Sequence, residues 1–147
     1  MPTRTFWLIS ASGLAPFLVC LAIAYGSPEG SVQHDAAIRA FLVYAALTLS
    51  FLGGARWGAE LTRAPNAPHL WRLLAAAAPS VVGLGALLPQ TPLKVALGLL
   101  MLSGGIQLAW DVSASRAGLL PPWNARVRTV MTVAGTLCSL TLWPAIA

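Results

Sequence analysis

The feature that most constrains this chain is a succession of apolar runs, each about as long as a bilayer is thick. The first run extends from Phe6 to Tyr25, and about twenty mainly apolar residues are what a helix needs to cross the hydrocarbon core. Four more runs follow, separated by short stretches rich in proline, glycine and polar residues, which are typical of turns. Since a helix satisfies its own backbone hydrogen bonds in lipid, we expect an all-α polytopic membrane helix bundle.

The pattern divides the chain into five predicted transmembrane helices within a single transmembrane domain, residues 1–147. The predicted spans are residues 6–26, 36–61, 70–88, 93–112 and 125–145. Gly13 and Pro16 interrupt the first run, and a neighbouring helix would have to accommodate any kink there. Pro79 lies in the middle of the third span, and both spans are expected to be otherwise continuous. The longest loop is expected at residues 113–124.

The first run also has an alternative interpretation, a cleavable signal peptide. Arg4 would supply its basic start, and Ala22-Ile23-Ala24 resembles a cleavage site with small residues. The run is longer than the usual apolar part of a signal peptide, about 7–15 residues, so a membrane span is favoured.

The composition excludes two broad classes of protein. Hydrophobic residues make up 57% of the chain and charged residues only 9%, with a mean hydropathy of +0.74, whereas about a quarter of a soluble domain is charged. The net charge of +5 does not indicate nucleic acid, because the basic residues stand singly at the ends of apolar runs instead of forming a patch. The expected surroundings are therefore a lipid bilayer, without nucleic acid.

The orientation follows from counting basic residues on each face. With five spans, the amino terminus, the second loop and the fourth loop share one face. The basic residues of that face are Arg4, Arg63, Arg72, Arg116, Arg126 and Arg128. The opposite face carries only Arg39 and Lys94. Since the basic excess marks the cytoplasmic side, the N-terminus is predicted inside and the C-terminus outside.

Tryptophans prefer the headgroup level of a membrane, and their positions agree with this orientation. Five of them fall at the predicted cytoplasmic ends of spans, and the sixth, Trp143, falls at the other end. The predicted interface anchors are Trp7, Trp57, Trp71, Trp110, Trp123 and Trp143.

Polar residues inside apolar runs are costly, so they are the candidate site. Helical spacing places Arg56 and Glu60 on one face of the second span, and Gln107 and Asp111 on one face of the fourth. We expect an Arg56–Asp111 ion pair there, within reach of the arginines that begin the fifth span. The predicted binding or structural polar cluster is Arg56, Glu60, Gln107, Asp111, Arg126 and Arg128. The predicted helix-packing glycines are Gly53, Gly54, Gly58 and Gly104.

A simpler interpretation of the same residues stays open. Arg56 is near enough to the end of its span to extend its charge to the headgroups. Glu60 would then be hydrated and would pair with Arg56 at i+4. Asp111 is expected to end its helix, where an acid is unfavourable, and this position argues for a specific cationic partner.

The remaining reactive side chains suggest no chemistry. His34 is expected to be a solvated loop residue, and His69 a loop residue on the opposite face. Cys20 and Cys138 lie deep in apolar runs, as small buried residues do. No arrangement of a nucleophile with a base at one depth can be assembled, so we expect neither an enzyme nor a metal site, and no cofactor.

Several short motifs resemble the transmembrane protein 69-like family, a group of small multi-span membrane proteins. The matching segments are 13–17, 50–58, 79–80, 107–111 and 122–132. Within the second segment, Phe51-Leu52-Gly53-Gly54-Ala55-Arg56-Trp57-Gly58 is the most specific match. The resemblance implies a multi-span helical fold, found in bacteria and in the mitochondria of animals. It implies no known reaction.

These observations predict an integral protein of the bacterial inner (cytoplasmic) membrane, crossing it several times. The expected role is that of a non-catalytic accessory or assembly subunit of a larger membrane complex, such as one of the respiratory chain. The alternative is a small-molecule or lipid-binding membrane protein that uses the cytoplasm-side Arg/Glu/Asp cluster. A proton or ion pathway is a third, weaker hypothesis.

Overall fold

The computed structural model describes residues 2–62, 68–119 and 122–146. Within these ranges every regular element is a helix, which confirms the all-α class. The helices are α1 Pro2–Ser12, α2 Ala15–Gly26, α3 Val32–Leu61, α4 Leu70–Ala86, α5 Leu93–Arg116 and α6 Pro122–Leu142. A short 3₁₀ segment, Trp143–Ala145, follows α6 directly. Arg63, one of the basic residues used to predict the orientation, lies outside the described residues.

Three segments of the described chain are long and apolar enough to cross a bilayer. They are Trp7–Gly26, Val32–Leu61 and Leu93–Arg116. Leu70–Ala86 is also apolar but shorter. The structure therefore supports a multi-helix membrane protein, while the number of spans and the orientation stay predictions.

The first predicted span is interrupted near Gly13 and Pro16, where the sequence indicated an interruption. It consists of α1 and α2, with a turn at Gly13 and Leu14 between them. Pro16 lacks the N–H that would donate to the Ser12 carbonyl, so the helix ladder is interrupted there. The third span remains one helix through Pro79, as predicted.

The predicted loop at residues 113–124 is wrong in its length, because α5 continues to Arg116. Gly118 adopts the left-handed φ of 72° that glycine tolerates best. In that turn, the Leu119 N–H donates to the Ala114 carbonyl at 2.9 Å. This is the Schellman arrangement, which satisfies the last carbonyls of a helix. The polar residues after Val112 are therefore helical.

A side chain also completes the carboxyl end of α4. The Gly85 carbonyl cannot accept from the N–H four residues later, because that residue is Pro89, which has none. It accepts from the Leu88 N–H at 3.4 Å and from the Thr91 hydroxyl at 2.8 Å. The Thr91 side chain therefore strengthens the end of a helix that the proline prevents from continuing.

The chain forms two compact units, of which the first comprises residues 1–41 and 104–147. Within it α6 contacts both α1 and α2. Phe17 of α2 meets Phe41 of α3 edge to face, with ring centroids 4.8 Å apart. Phe41 and Leu142 are completely buried, so this unit has its own apolar core.

The second unit comprises residues 42–103. Here α3 and α4 approach closely at Gly83, where an added Cβ would lie 3.1 Å from the Ala46 Cβ. Small residues permit this approach of two backbones. Leu97 and Ala96 of α5 are fully buried as well.

Candidate functional site

The first buried polar cluster is an ion pair between α5 and α6 in the first unit. The Arg128 Nε lies 3.1 Å from the Asp111 Oδ2. The Asp111 side chain is 4% exposed and that of Arg128 15%. Because both charges are largely removed from water, each depends on the other for its stabilisation.

The reason why Asp111 has a cationic partner differs from the reason predicted from the sequence. Asp111 does not end its helix, since α5 continues more than one turn beyond it, to Arg116. The unfavourable helix end is therefore not the cause. Burial of the carboxylate is the cause, because an isolated buried charge is far more costly than a buried pair.

Two further polar side chains lie one helical turn on either side of Asp111. Gln107 is 6% exposed, and its Nε2 is buried without a hydrogen-bond partner among the described residues. The buried Ser115 Oγ likewise has no such partner in the described chain. Since buried polar groups are almost always hydrogen-bonded, these two atoms identify the polar face of α5 as a place able to hold an additional polar group.

The other arginines of the predicted cluster have different positions. Arg126 is exposed. Arg56 belongs to the second unit, and its Nε and Nη2 atoms are buried. The Arg56–Asp111 pair stays a prediction.

The second buried polar cluster is centred on Glu60, near the end of α3 in the second unit. Its Oε1 accepts from the His69 backbone N–H at 3.0 Å and lies 3.2 Å from the His69 Nδ1. Its Oε2 lies 3.5 Å from the Arg72 Nη1. Glu60 is 8% exposed, so the interpretation in which it is hydrated is wrong.

These contacts make Glu60 a cap for the next helix. His69 is the N-cap residue of α4, and a carboxylate at a helix amino terminus is stabilised by the free N–H groups and the dipole. Sequence reasoning missed His69 and Arg72 as partners of Glu60. The signal in the sequence was the position of Glu60, an acid just before the loop that leads to α4. The first turn of α4 contains no acid of its own.

His34 is the clearest correction to the sequence analysis. It is 5% exposed instead of solvated, and it lies in the first turn of α3 instead of a loop. Its Nδ1 lies 2.9 Å from the Ala24 carbonyl and its Nε2 3.0 Å from the Ala145 carbonyl. The ring thus joins the carboxyl ends of two helical segments to the start of α3, all within the first unit.

The predicted helix-packing glycines have different surroundings. Gly53 is buried and Gly104 partly buried. Gly54 and Gly58 are exposed, and a Cβ added at either would meet no described heavy atom within 4 Å. Gly83 of α4 closely faces Ala46 of α3.

The predicted tryptophan anchors lie mostly at the surface. Trp71 is the most exposed of them, at 59%. Its ring is 5.1 Å from the Arg72 guanidinium carbon. Trp57, Trp123 and Trp143 are also exposed, and Trp7 and Trp110 are partly buried. Such amphipathic rings suit a headgroup region, but the membrane boundaries stay a prediction.

Among the residues that the structure describes, no three His, Cys, Asp or Glu side chains are grouped to hold a metal ion. The chemistry of the two clusters is that of ion pairs and helix caps.

Comparison with known proteins gives a family and one relative. The family model described as "Protein of unknown function (DUF3429)" matches residues 2–144. Transmembrane protein 69 of Xenopus tropicalis is 30% identical over 143 residues, covering 92% of this chain and 54% of the relative. The chain thus spans about half the length of this curated relative. No solved structure matches.

Proposed function

We propose that this chain, which belongs to the family of proteins of unknown function DUF3429, is a non-catalytic accessory or assembly subunit of a larger membrane complex. The proposed location is the bacterial inner membrane, one of the two locations that the sequence resemblance implies. A complex of the respiratory chain is one such assembly. The proposal concerns this segment, which corresponds to about half of its relative.

The proposed topology has five spans, with the N-terminus inside and the C-terminus outside. The excess of basic residues on one set of loops supports this orientation. At 1.5 Å per residue, the 17 residues of α4 extend about 25 Å and the 21 residues of α6 about 32 Å. Both lengths are close to the roughly 30 Å of the hydrocarbon core.

The observation that carries the proposal is an open glycine face on α3. Gly54 and Gly58 are four residues apart, exposed, and clear of every described side chain. Phe51 and Leu47, on the same side of the helix, are 74% and 61% exposed. In a bilayer, small residues at this spacing allow a second helix to approach the backbone closely. We define Leu47, Phe51, Gly54 and Gly58 as the glycine face.

The non-catalytic part of the proposal rests on how the charged side chains are used. Glu60 caps α4, and Asp111 binds Arg128. A carboxylate held by the protein's own donors stabilises the fold. Neither acid is arranged as a general base facing open space.

The test is purification of the tagged protein at native expression in a mild detergent, with mass spectrometry of whatever migrates with it. We expect a stoichiometric larger complex with the unmodified chain, and its loss in the Gly54→Leu/Gly58→Leu variant. Gly135→Leu is the matched control, because Gly135 of α6 is also clear of other groups. A protein that migrates alone, or a complex that survives the double substitution, would refute the proposal.

Binding of a small molecule or lipid is the second candidate function, and one observation favours it. The Gln107 Nε2 and the Ser115 Oγ are buried on either side of Asp111 with no partner in the described chain. An oxygen-bearing ligand would satisfy the amide donor. Native mass spectrometry of the purified protein tests this: a retained lipid or quinone that is lost in Gln107→Leu supports binding, whereas ligand-free protein opposes it.

A further inference from the structure

The imidazole of His34 is buried between two backbone carbonyl groups. It is 5% exposed, and each ring nitrogen faces a backbone carbonyl oxygen, that of Ala24 at 2.9 Å and that of Ala145 at 3.0 Å. A neutral imidazole has one N–H donor and one acceptor nitrogen, whereas the imidazolium has two donors. Only the protonated ring can therefore donate to both carbonyls.

The sequence explains why the Ala24 carbonyl needs this donor. Its usual partner at the end of α2 would be the N–H four residues later, but that residue is Pro28, which has none. At the carboxyl end of α6, the Thr141 carbonyl also accepts from a side chain, the Tyr25 hydroxyl. The His34 ring thus replaces the donor that Pro28 removed from the end of α2.

The electrostatic surroundings also favour the cation. His34 precedes the predicted span 36–61, and its pKa is raised above the ordinary value, first by the hydrogen bond to the Ala24 carbonyl. The Ala145 carbonyl and the charges of Asp35 and Glu29 act in the same direction, while burial opposes them. The negative dipole ends at the carboxyl ends of α2 and the 3₁₀ segment also stabilise the charged ring. The positive dipole end at the amino end of α3 destabilises it.

The titratable groups around the ring are few. Asp35 follows it on α3, and Glu29 lies in the preceding turn. Tyr25 is the titratable residue at the end of α2, and its hydroxyl proton is directed at Thr141. No side chain of Trp143–Ala145 titrates. His34 is thus the group at this corner that changes charge near neutral pH.

We propose that His34 is a pH-responsive latch, which in its protonated form fastens the 3₁₀ segment and the end of α2 to the start of α3. We assign the proton of the neutral ring to Nδ1, which faces the nearer carbonyl, that of Ala24. The Ala145 carbonyl then faces a nitrogen lone pair, which weakens the hold on Trp143–Ala145. The stabilisation is complete below the ordinary pKa of about 6.5 and is lost as pH rises through the higher pKa of the folded state. In the proposed topology the latch faces the outside of the cell.

The first measurement is a pH titration of the imidazole carbon signal by NMR, in detergent micelles. His69→Gln leaves His34 as the only histidine of the chain, so the signal is unambiguous. We expect a midpoint above about 6.5, the value for an unperturbed histidine. A midpoint at or below that value overturns the proposal, and this result does not require any change at His34.

The second measurement is hydrogen exchange of residues 142–146, expressed as protection relative to the intrinsic rate at each pH. In the His69→Gln protein, protection should fall between pH 6 and 9. The total fall should be about tenfold for each pH unit by which the measured midpoint exceeds the ordinary value of about 6.5. His34→Gln, which keeps one amide donor, should show weaker protection with no such pH dependence. Equal pH dependence in both proteins, or constant protection in His69→Gln, contradicts the latch.

Discussion

Removal of one partner of the Asp111–Arg128 pair gives the strongest test of the packing between α5 and α6. In Asp111→Ala the guanidinium of Arg128, which is 15% exposed, stays largely buried without its counter-charge. Breaking such a pair costs about 3–5 kcal/mol, and the partial exposure of Arg128 puts the expected loss near the lower end. A loss of about 3 kcal/mol lowers the folding equilibrium constant by roughly a hundredfold. It is also a large part of a typical stability of about 5–15 kcal/mol.

The assay is unfolding in mixed micelles with increasing SDS, followed by far-ultraviolet circular dichroism. Arg128→Ala should be destabilised similarly, and the double variant Asp111→Ala/Arg128→Ala by less than the sum of the two. The exchanged pair, Asp111→Arg/Arg128→Asp, should recover part of the loss. Arg126→Ala is the matched control, because Arg126 is exposed on the same helix, and its effect should stay within about 0.5 kcal/mol. Additive losses in the double variant would refute the ion pair.

Two further predictions concern the second unit and use the same assay. Glu60→Gln should lower the free energy of unfolding by about 1–2 kcal/mol, since it replaces charge-assisted hydrogen bonds at the start of α4 by neutral ones. Glu29→Gln, at an exposed position, is the control. Equal effects of the two substitutions would contradict the role of Glu60 as a cap. Gly83→Val should cost about 1–3 kcal/mol by crowding Ala46. At Gly85 an added Cβ has open space, so Gly85→Val measures the effect of replacing a helical glycine by valine without a steric conflict. Equal stability changes in Gly83→Val and Gly85→Val would disprove the close approach of α3 and α4.

The prediction of the helices from the sequence depended on local information, and it failed where local information was overlooked. Long apolar runs predicted the helices, because hydropathy and length are properties of the segment itself. The end of α5 was predicted too early, since the polar residues after Val112 resembled a loop. Gly118 was the signal for the true end, as a glycine just beyond a helix accepts the left-handed turn. The break between α1 and α2, in contrast, was indicated in advance by Gly13 and Pro16.

The candidate site was predicted as a set of residues more successfully than as a set of contacts. Asp111, Arg128, Glu60 and Gln107 were all singled out, because polar groups in apolar helices are rare and costly. Their partners could not be derived, since residues 17 positions apart, such as Asp111 and Arg128, meet only through the packing of two helices. His69 illustrates the same limit: its backbone N–H reaches Glu60 only because the loop returns to the end of α3.

The sequence by itself determined that this chain is helical, that it is too apolar for water, and that a few polar residues interrupt its apolar runs. These properties are sums over short segments, so they do not depend on how the helices are arranged. The tertiary structure alone decided that His34 is buried between two carbonyls and that Asp111 pairs with Arg128. Such contacts depend on distances of a few ångströms between segments far apart in sequence, and those distances are set by the packing of the helices.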